Sequence, residues 1–255
     1  MTIITGGIEL TIKDMRQMIG QNLVLKSAVV VIVIILSILY GRFFLTPGVY
    51  YNDSFLKKIV TEKEVHYKGY SIDGNINITV KGSKNKSASS EVIYDLPNNL
   101  KFHYIVNYKD PNHWESGLEN IQDVNSGMIH EADYRVDSMF LTDKDGNILF
   151  DDPVTVIVNG ESIYNKDYRV PLKNVVDLAT YNTETIRGNY LYVFFAVIIL
   201  VITGIDIKFP RFYFYQKYRW SVANPEPSEF YVAMQQIFWR AGIIGGLILL
   251  IFAVI

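Results

Sequence analysis

Three long apolar runs constrain this chain more than any other feature of its sequence. Residues 28–45 (AVVVIVIILSILYGRFFL), 190–207 (YLYVFFAVIILVITGIDI) and 237–255 (IFWRAGIIGGLILLIFAVI) each hold about 18 residues or slightly more. At 1.5 Å of rise per residue, such a run as a helix just crosses the hydrocarbon layer, where every backbone polar group must be satisfied within the segment. Three transmembrane helices are predicted. The charges in these runs lie near their ends: Arg42, Asp206 and Arg240. Tyr190 and Tyr192 open the second run, where an interfacial aromatic belt is expected. The first run has an alternative reading as a cleaved signal peptide. It starts late, is long for such a segment, and is followed by no small-x-small site, so an uncleaved anchor is the expectation.

Basic residues near the runs set the expected orientation. Lys13, Arg16 and Lys26 precede the first; Lys208, Arg211, Lys217 and Arg219 follow the second. Positive charge in short flanking segments favours the cytoplasm, so a multi-pass cell-membrane protein is expected, with residues 1–27 and 208–236 inside and 48–188 outside. The outer segment carries 15 basic and 21 acidic side chains, whereas the whole chain is nearly balanced at 24 against 26. Within residues 1–27, Ile8, Ile12, Met15, Ile19 and Leu23 recur at helical spacing. That pattern fits an amphipathic helix on the inner leaflet, a short cytosolic helix or a tail.

Residues 48–188 read as one β-rich, sandwich-like domain. Apolar and polar residues alternate in Ile76–Val80, Leu100–Tyr104 and Tyr134–Val136, and Val65–Tyr70, Val92–Tyr94, Val154–Val158 and Tyr168–Val170 are β-branched or aromatic. Asp145-Gly146 and Asn159-Gly160 supply hairpin chemistry, and Gly82–Ser90 reads as a loop. Asp53–Glu64 and Trp114–Met128 are candidate helices, the latter from the spacing of Trp114, Leu118 and Ile121 and against the helix-breaking tendency of Gly117 and Gly127.

After the second run, Phe209–Trp220 interleaves aromatics with Arg211, Lys217 and Arg219. Beside a membrane span, anchoring of these side chains and Trp220 to lipid headgroups needs fewer assumptions than nucleic-acid stacking, and no nucleic-acid partner is expected. Pro227 ends an extended segment, and Ser228 is placed to cap a helix with Glu229 in its first turn, running unbroken into the third span. Gly242, Gly245 and Gly246 give that helix a smooth face for packing. Trp220, Asn224-Pro225-Glu226-Pro227-Ser228, Tyr231 and Arg240-Ala241-Gly242-Ile243-Ile244-Gly245 together resemble the Trp…Pro-Ser…Arg-x-Gly-Ile pattern of a family of small, chiefly Gram-positive bacterial membrane proteins of unknown function. The resemblance covers about the last quarter of the chain. It implies a short motif between two membrane helices and says nothing of the outer domain.

Enzyme chemistry finds little support. With no cysteine, thiol nucleophiles, disulfides and Cys-ligated metals are excluded. Hydrolase elbows, phosphate loops and dinucleotide fingerprints are absent, and His66, His103, His113 and His130 lack zinc-site spacing. No cofactor is implied. Leu141–Asp152 has the outline of a calcium loop through Asp143, Asp145, Gly146 and Asp152. Its first position is Leu141, and its strand-like flanks favour an Asp-Gly hairpin instead. The expectation is a non-enzymatic membrane protein whose outer domain binds a protein or other envelope component, as an accessory subunit. A transmembrane sensor or transport-associated subunit is the alternative, and an envelope enzyme with a scattered site the third.

Overall fold

Among the described residues of 46–187, alternation becomes a single sheet. The computed structural model describes residues 23–82, 88–110, 117–134, 140–143, 145–149, 162–218, 220 and 226–255, and divides into two compact units, Thr46–Arg187 and a helical unit on either side of it in sequence.

In the sheet unit the strands are β1 (Pro47–Tyr51), β2 (Ser54–Val60), β3 (Glu64–Ser71), β4 (Gly74–Lys81), β5 (Ser89–Leu96), β6 (Leu100–Tyr108), β7 (Leu118–Asp123), β8 (Ile129–His130) and β9 (Thr185–Ile186). All nine belong to one antiparallel sheet in the order β8-β7-β6-β5-β4-β3-β2-β1-β9, a meander with β9 added beside β1. A sandwich has two facing sheets; the described residues form one. Val65↔Val80, Val80↔Val92, Val92↔Tyr104, Ile78↔Tyr94 and Val106↔Ile121 are cross-strand partners, so alternation along each strand becomes one continuous apolar face. That face is closed by helix α2 (Leu172–Ala179), which buries Leu172, Val175, Val176, Leu178 and Ala179. Tyr164, Tyr168, Val170, Ala132, Tyr134 and Leu141, outside the regular strands, complete the cover. Each fully buried Val or Leu contributes on the order of 1.5–3 kcal/mol.

Tyrosines dominate this core, and their hydroxyls find partners, as buried phenols must. The Tyr51 and Tyr168 hydroxyls lie 2.7 Å apart, and Asn52 Nδ2 donates to Tyr168 Oη at 3.0 Å. Tyr94 donates to Asn174 Oδ1 at 3.2 Å, and Tyr108 to the Ala179 carbonyl at 3.2 Å. Burial drives the phenols of Tyr51, Tyr67 and Tyr94 well above their usual ionisation range and lifts Tyr164 to about 12.

Several local expectations change in the folded chain. Asp53–Glu64, expected as a helix, is a turn followed by β2: Asn52 and Asp53 both take positive φ (44° and 60°), the geometry of a tight hairpin, and Ile59-Val60 suit a strand. Within the expected helix Trp114–Met128, Leu118–Asp123 is β7, because pairing with β6 buries Leu118 and Ile121 and overrides their helical spacing. Ser89 and Ser90, expected in a loop, begin β5. Tyr168–Val170 is irregular chain and not a strand, with Tyr168 and Val170 buried and Arg169 exposed. Val154–Val158, Asn159-Gly160, Val136, Trp114 and the amphipathic pattern Ile8–Ile19 lie outside the described residues.

The helical unit holds α1 (Leu23–Phe44), α3 (Tyr190–Lys208), α4 (Phe212–Tyr218) and α5 (Glu229–Phe252). Three of them, α1, α3 and α5, are long and apolar enough to cross a membrane, with mean hydropathies of 2.5, 2.4 and 1.5 over their best windows. The third begins before the apolar run at Ile237, since the Ser228 side chain accepts from the Tyr231 N–H at 3.2 Å and Glu229 occupies the first turn. Asn189 caps α3 through the Leu191 N–H. The Asn189 N–H donates to the Ala253 carbonyl and Tyr40 Oη to the Leu250 carbonyl, gathering the end of α1, the start of α3 and the end of α5.

Candidate functional site

The sheet unit meets its surroundings at two ends of different chemistry. Because the strands form a meander, the turns at Asn52-Asp53, Ile72-Asp73, Pro97–Asn99 and residues 124–128 share one end, and Pro47 and Ile186 pair near the other. The turn end exposes large apolar side chains: Ile72 is 97% exposed and Met128 56%, with Tyr70, Val124 and Ile129 also open. Hairpin tips favour small polar residues, so local backbone geometry does not account for Ile72 or Met128. The 124–128 turn is nonetheless well built: Asp123 Oδ1 accepts from the Asn125 N–H at 2.9 Å, and Gly127 takes φ 73°.

Toward the other end, Lys58, Thr61, Lys63, Tyr181 and Glu184 contribute to an open cleft of about 310 Å³. Glu184 is engaged from within, accepting from Tyr67 Oη at 2.7 Å and pairing with Lys58. Tyr181 is held over the cleft by donating to the Gly82 carbonyl at 3.0 Å. This is a charged groove, also lined by Glu62 and Glu64, in which Glu184 is already partnered.

The calcium outline resolves into a turn where it is described. Asp143 Oδ1 accepts from the backbone N–H groups of Asp145 and Asn147 at 2.9 and 2.8 Å, and Oδ2 from Asn147 Nδ2 at 3.0 Å. Thr142 bridges to Ile148, making a short hairpin. The Asn147 side chain, with these N–H donors, holds the Asp143 carboxyl below its usual range. Asp143 therefore spends its acceptors on its own loop; Asp152 lies outside the described residues. His66 sits between Thr79 Oγ1 and Glu64 Oε1, each at 3.0 Å, whereas His103 lies 3.6 Å from Glu91. Among the described residues no three His, Asp or Glu side chains converge as metal ligands.

The helical unit has the more specific geometry. Gln235 Nε2 donates to Asp206 Oδ1 at 2.9 Å and to the Pro210 carbonyl at 2.6 Å, and Trp239 Nε1 donates to Asp206 Oδ2 at 2.7 Å. Both oxygens of the carboxylate at the end of α3 are thus held by α5. Below this lock, a Cβ added at Gly242 would collide with Thr203, and one at Gly246 would lie 2.6 Å from Leu200 Cδ2. Gly245 has nothing within 4 Å, so two of the three glycines in the expected smooth face make the contact. Gln235, Trp239, Gly242 and Gly246 form one stripe along α5. The sequence reading missed its two polar members, although their four-residue spacing ahead of the glycines was a usable signal.

Of the expected interface residues, Arg42, Tyr190, Tyr192, Arg211, Lys217, Trp220 and Arg240 are exposed. Tyr190 packs edge-on against Phe44 at 5.1 Å, and Phe214 of α4 packs on Tyr231 at 5.0 Å. Arg219 lies outside the residues whose placement is described.

Comparison with curated proteins and with solved structures yields no match to this chain. Residues 195–253, which contain the Asp206 lock, the Gly242 and Gly246 contacts and the Trp220-to-Gly245 pattern, match a family of unknown function, DUF6199.

Proposed function

We propose that this chain is a multi-pass protein of a bacterial cell membrane, of the Gram-positive type its C-terminal pattern resembles. In this reading the Thr46–Arg187 unit stands outside the cell and binds another envelope component, as an accessory subunit and not as an enzyme. The turn end of the sheet carries the proposal: Ile72, Met128 and their neighbours expose apolar surface opposite the end where the chain enters and leaves the unit. Large apolar side chains exposed at hairpin tips, where small polar residues are usual, support that reading.

Two measurements test this. Single cysteines in the Cys-free chain at Asn75 and Gln216, probed with an impermeant maleimide on whole cells, are expected to label at Asn75 alone; labelling at Gln216 alone overturns the orientation. Crosslinking from intact membranes is then expected to capture a partner with the parent protein and lose it with Ile72→Ser/Met128→Ser. Capture unchanged in that variant removes the turn end from the proposal.

The α3–α5 lock favours a second reading, in which outer binding is transmitted inward. A carboxylate of one helix held by side chains of another is a polar contact that can be made or broken, as a signalling element requires. If so, Asp206→Asn alters the response to the partner while leaving its capture intact.

A further inference from the structure

The segment after α3 forms a hollow that the proposed outer function does not use. Lys208, Phe209, Pro210, Arg211, Phe212 and Tyr215 line a shallow, open depression of about 440 Å³. Its walls are aromatic and its charged side chains are both cationic. The three rings are exposed, and Lys208 Nζ lies 5.4 Å from the Phe209 centroid. Neither Lys208 nor Arg211 forms an ion pair among the described residues. The nearest acid in sequence, Asp206, has one oxygen held by Gln235 and the other by Trp239.

Position decides what fits there. Lys208 is the last residue of a helix of membrane-spanning length, so the hollow falls at the level where hydrocarbon gives way to headgroups. Aromatic rings favour that layer, and two cations that form no ion pair among the described residues meet phosphate there. We propose that this hollow binds the headgroup phosphate of an anionic phospholipid, with Lys208 and Arg211 as the charged contacts and the acyl chains lying along α3. The proposal rests on α3 spanning the membrane. It differs from general attraction of the basic loop to the bilayer by assigning the lipid to one place. Lys217, on the same loop, contributes charge but does not line the hollow.

The test uses the full chain, reconstituted into bilayers of equal phosphatidylglycerol and phosphatidylcholine and then analysed by native mass spectrometry for retained lipid. The parent is expected to retain phosphatidylglycerol preferentially. Removing each contact should lower that preference roughly fivefold, so Lys208→Gln/Arg211→Gln loses most of it. Lys208→Arg/Arg211→Lys, which keeps both charges, should retain it, and Lys217→Gln should change it less than twofold. Equal loss in Lys217→Gln, or undiminished preference in the double Gln variant, overturns the proposal in favour of diffuse attraction. Displacement of the lipid by millimolar inorganic phosphate also overturns it, because the site would then serve a soluble anion. A chain that fails to partition into the bilayers at all refutes the membrane reading itself, whereas partitioning without lipid preference refutes only the hollow.

Discussion

Removing one hydroxyl, in Tyr134→Phe, tests how the irregular cover is fastened to the sheet unit. Tyr134 Oη donates to Asp177 Oδ1 at 2.8 Å and accepts from Asn182 Nδ2 at 2.7 Å, while Asp177 on α2 also pairs with Lys173 at 2.5 Å. Asp177 is buried, and burial raises the Tyr134 phenol so that it stays a donor. Losing a hydrogen bond to a buried carboxylate costs about 1.5–3 kcal/mol, and the stranded Asn182 amide adds to that side. Lys173 is 32% exposed at its side chain, so water screens its pair and Lys173→Met should cost less than about 1 kcal/mol. For a unit of roughly 140 residues these figures correspond to a fall in Tm of about 8 °C for Tyr134→Phe against about 2 °C for Lys173→Met. Because Pro47 and Ile186 pair at the chain's entry and exit, residues 46–187 can be expressed alone and followed by near-UV circular dichroism on heating. Equal losses in the two variants, or a loss below 1 °C in Tyr134→Phe, would refute the assignment of the fastening to the buried bond.

Further outcomes follow from the same geometry. Asp143 has a depressed pKa, so its contribution is present above the unfolded value near 3.8 and disappears as pH falls through the folded one. Asp143→Ala should therefore lower Tm at pH 6, with the gap to the parent narrowing as pH falls below 3.8, and millimolar calcium should shift neither; a calcium shift of several degrees abolished in Asp145→Ala would make this loop a metal site. Tyr51, Tyr67, Tyr94 and Tyr164 are raised, so the stability tied to their neutral forms is complete below pH 10 and is lost as pH climbs through their folded values. A tyrosinate absorbance titration of residues 46–187 should show exposed phenols ionising near 10 and the buried set only with cooperative unfolding; one smooth wave near 10 would refute the buried network. In the helical unit, Gly246→Leu should lower thermal stability in detergent by about 1–3 kcal/mol through overpacking against Leu200, and Gly245→Leu should leave it unchanged; equal effects would refute the α3–α5 contact.

Unbroken apolar length and cap chemistry are local properties, which is why α1, α3 and α5 and the Ser228 cap were legible in the sequence. Length alone satisfies a helix's backbone in hydrocarbon, and Ser228 needs only Tyr231, three residues on. Period-2 alternation likewise marked β4 and β6, and the Asp145-Gly146 turn needed only its neighbours. What the tertiary structure decided are the elements whose partners lie far along the chain. Leu118 and Ile121 have spacing compatible with a helix and became a strand because Tyr108 and Val106 stood ready to pair with them. Asn52-Asp53 turned a predicted helix into a hairpin by setting Val49 against Leu56. The Asp206–Gln235–Trp239 lock joins residues about thirty positions apart, and the exposed turn end exists only once eight strands have been laid side by side. Sequence spacing reports which side chains share a face of one element; which faces meet is set by the burial of the whole sheet and by two helices close enough for a glycine to matter.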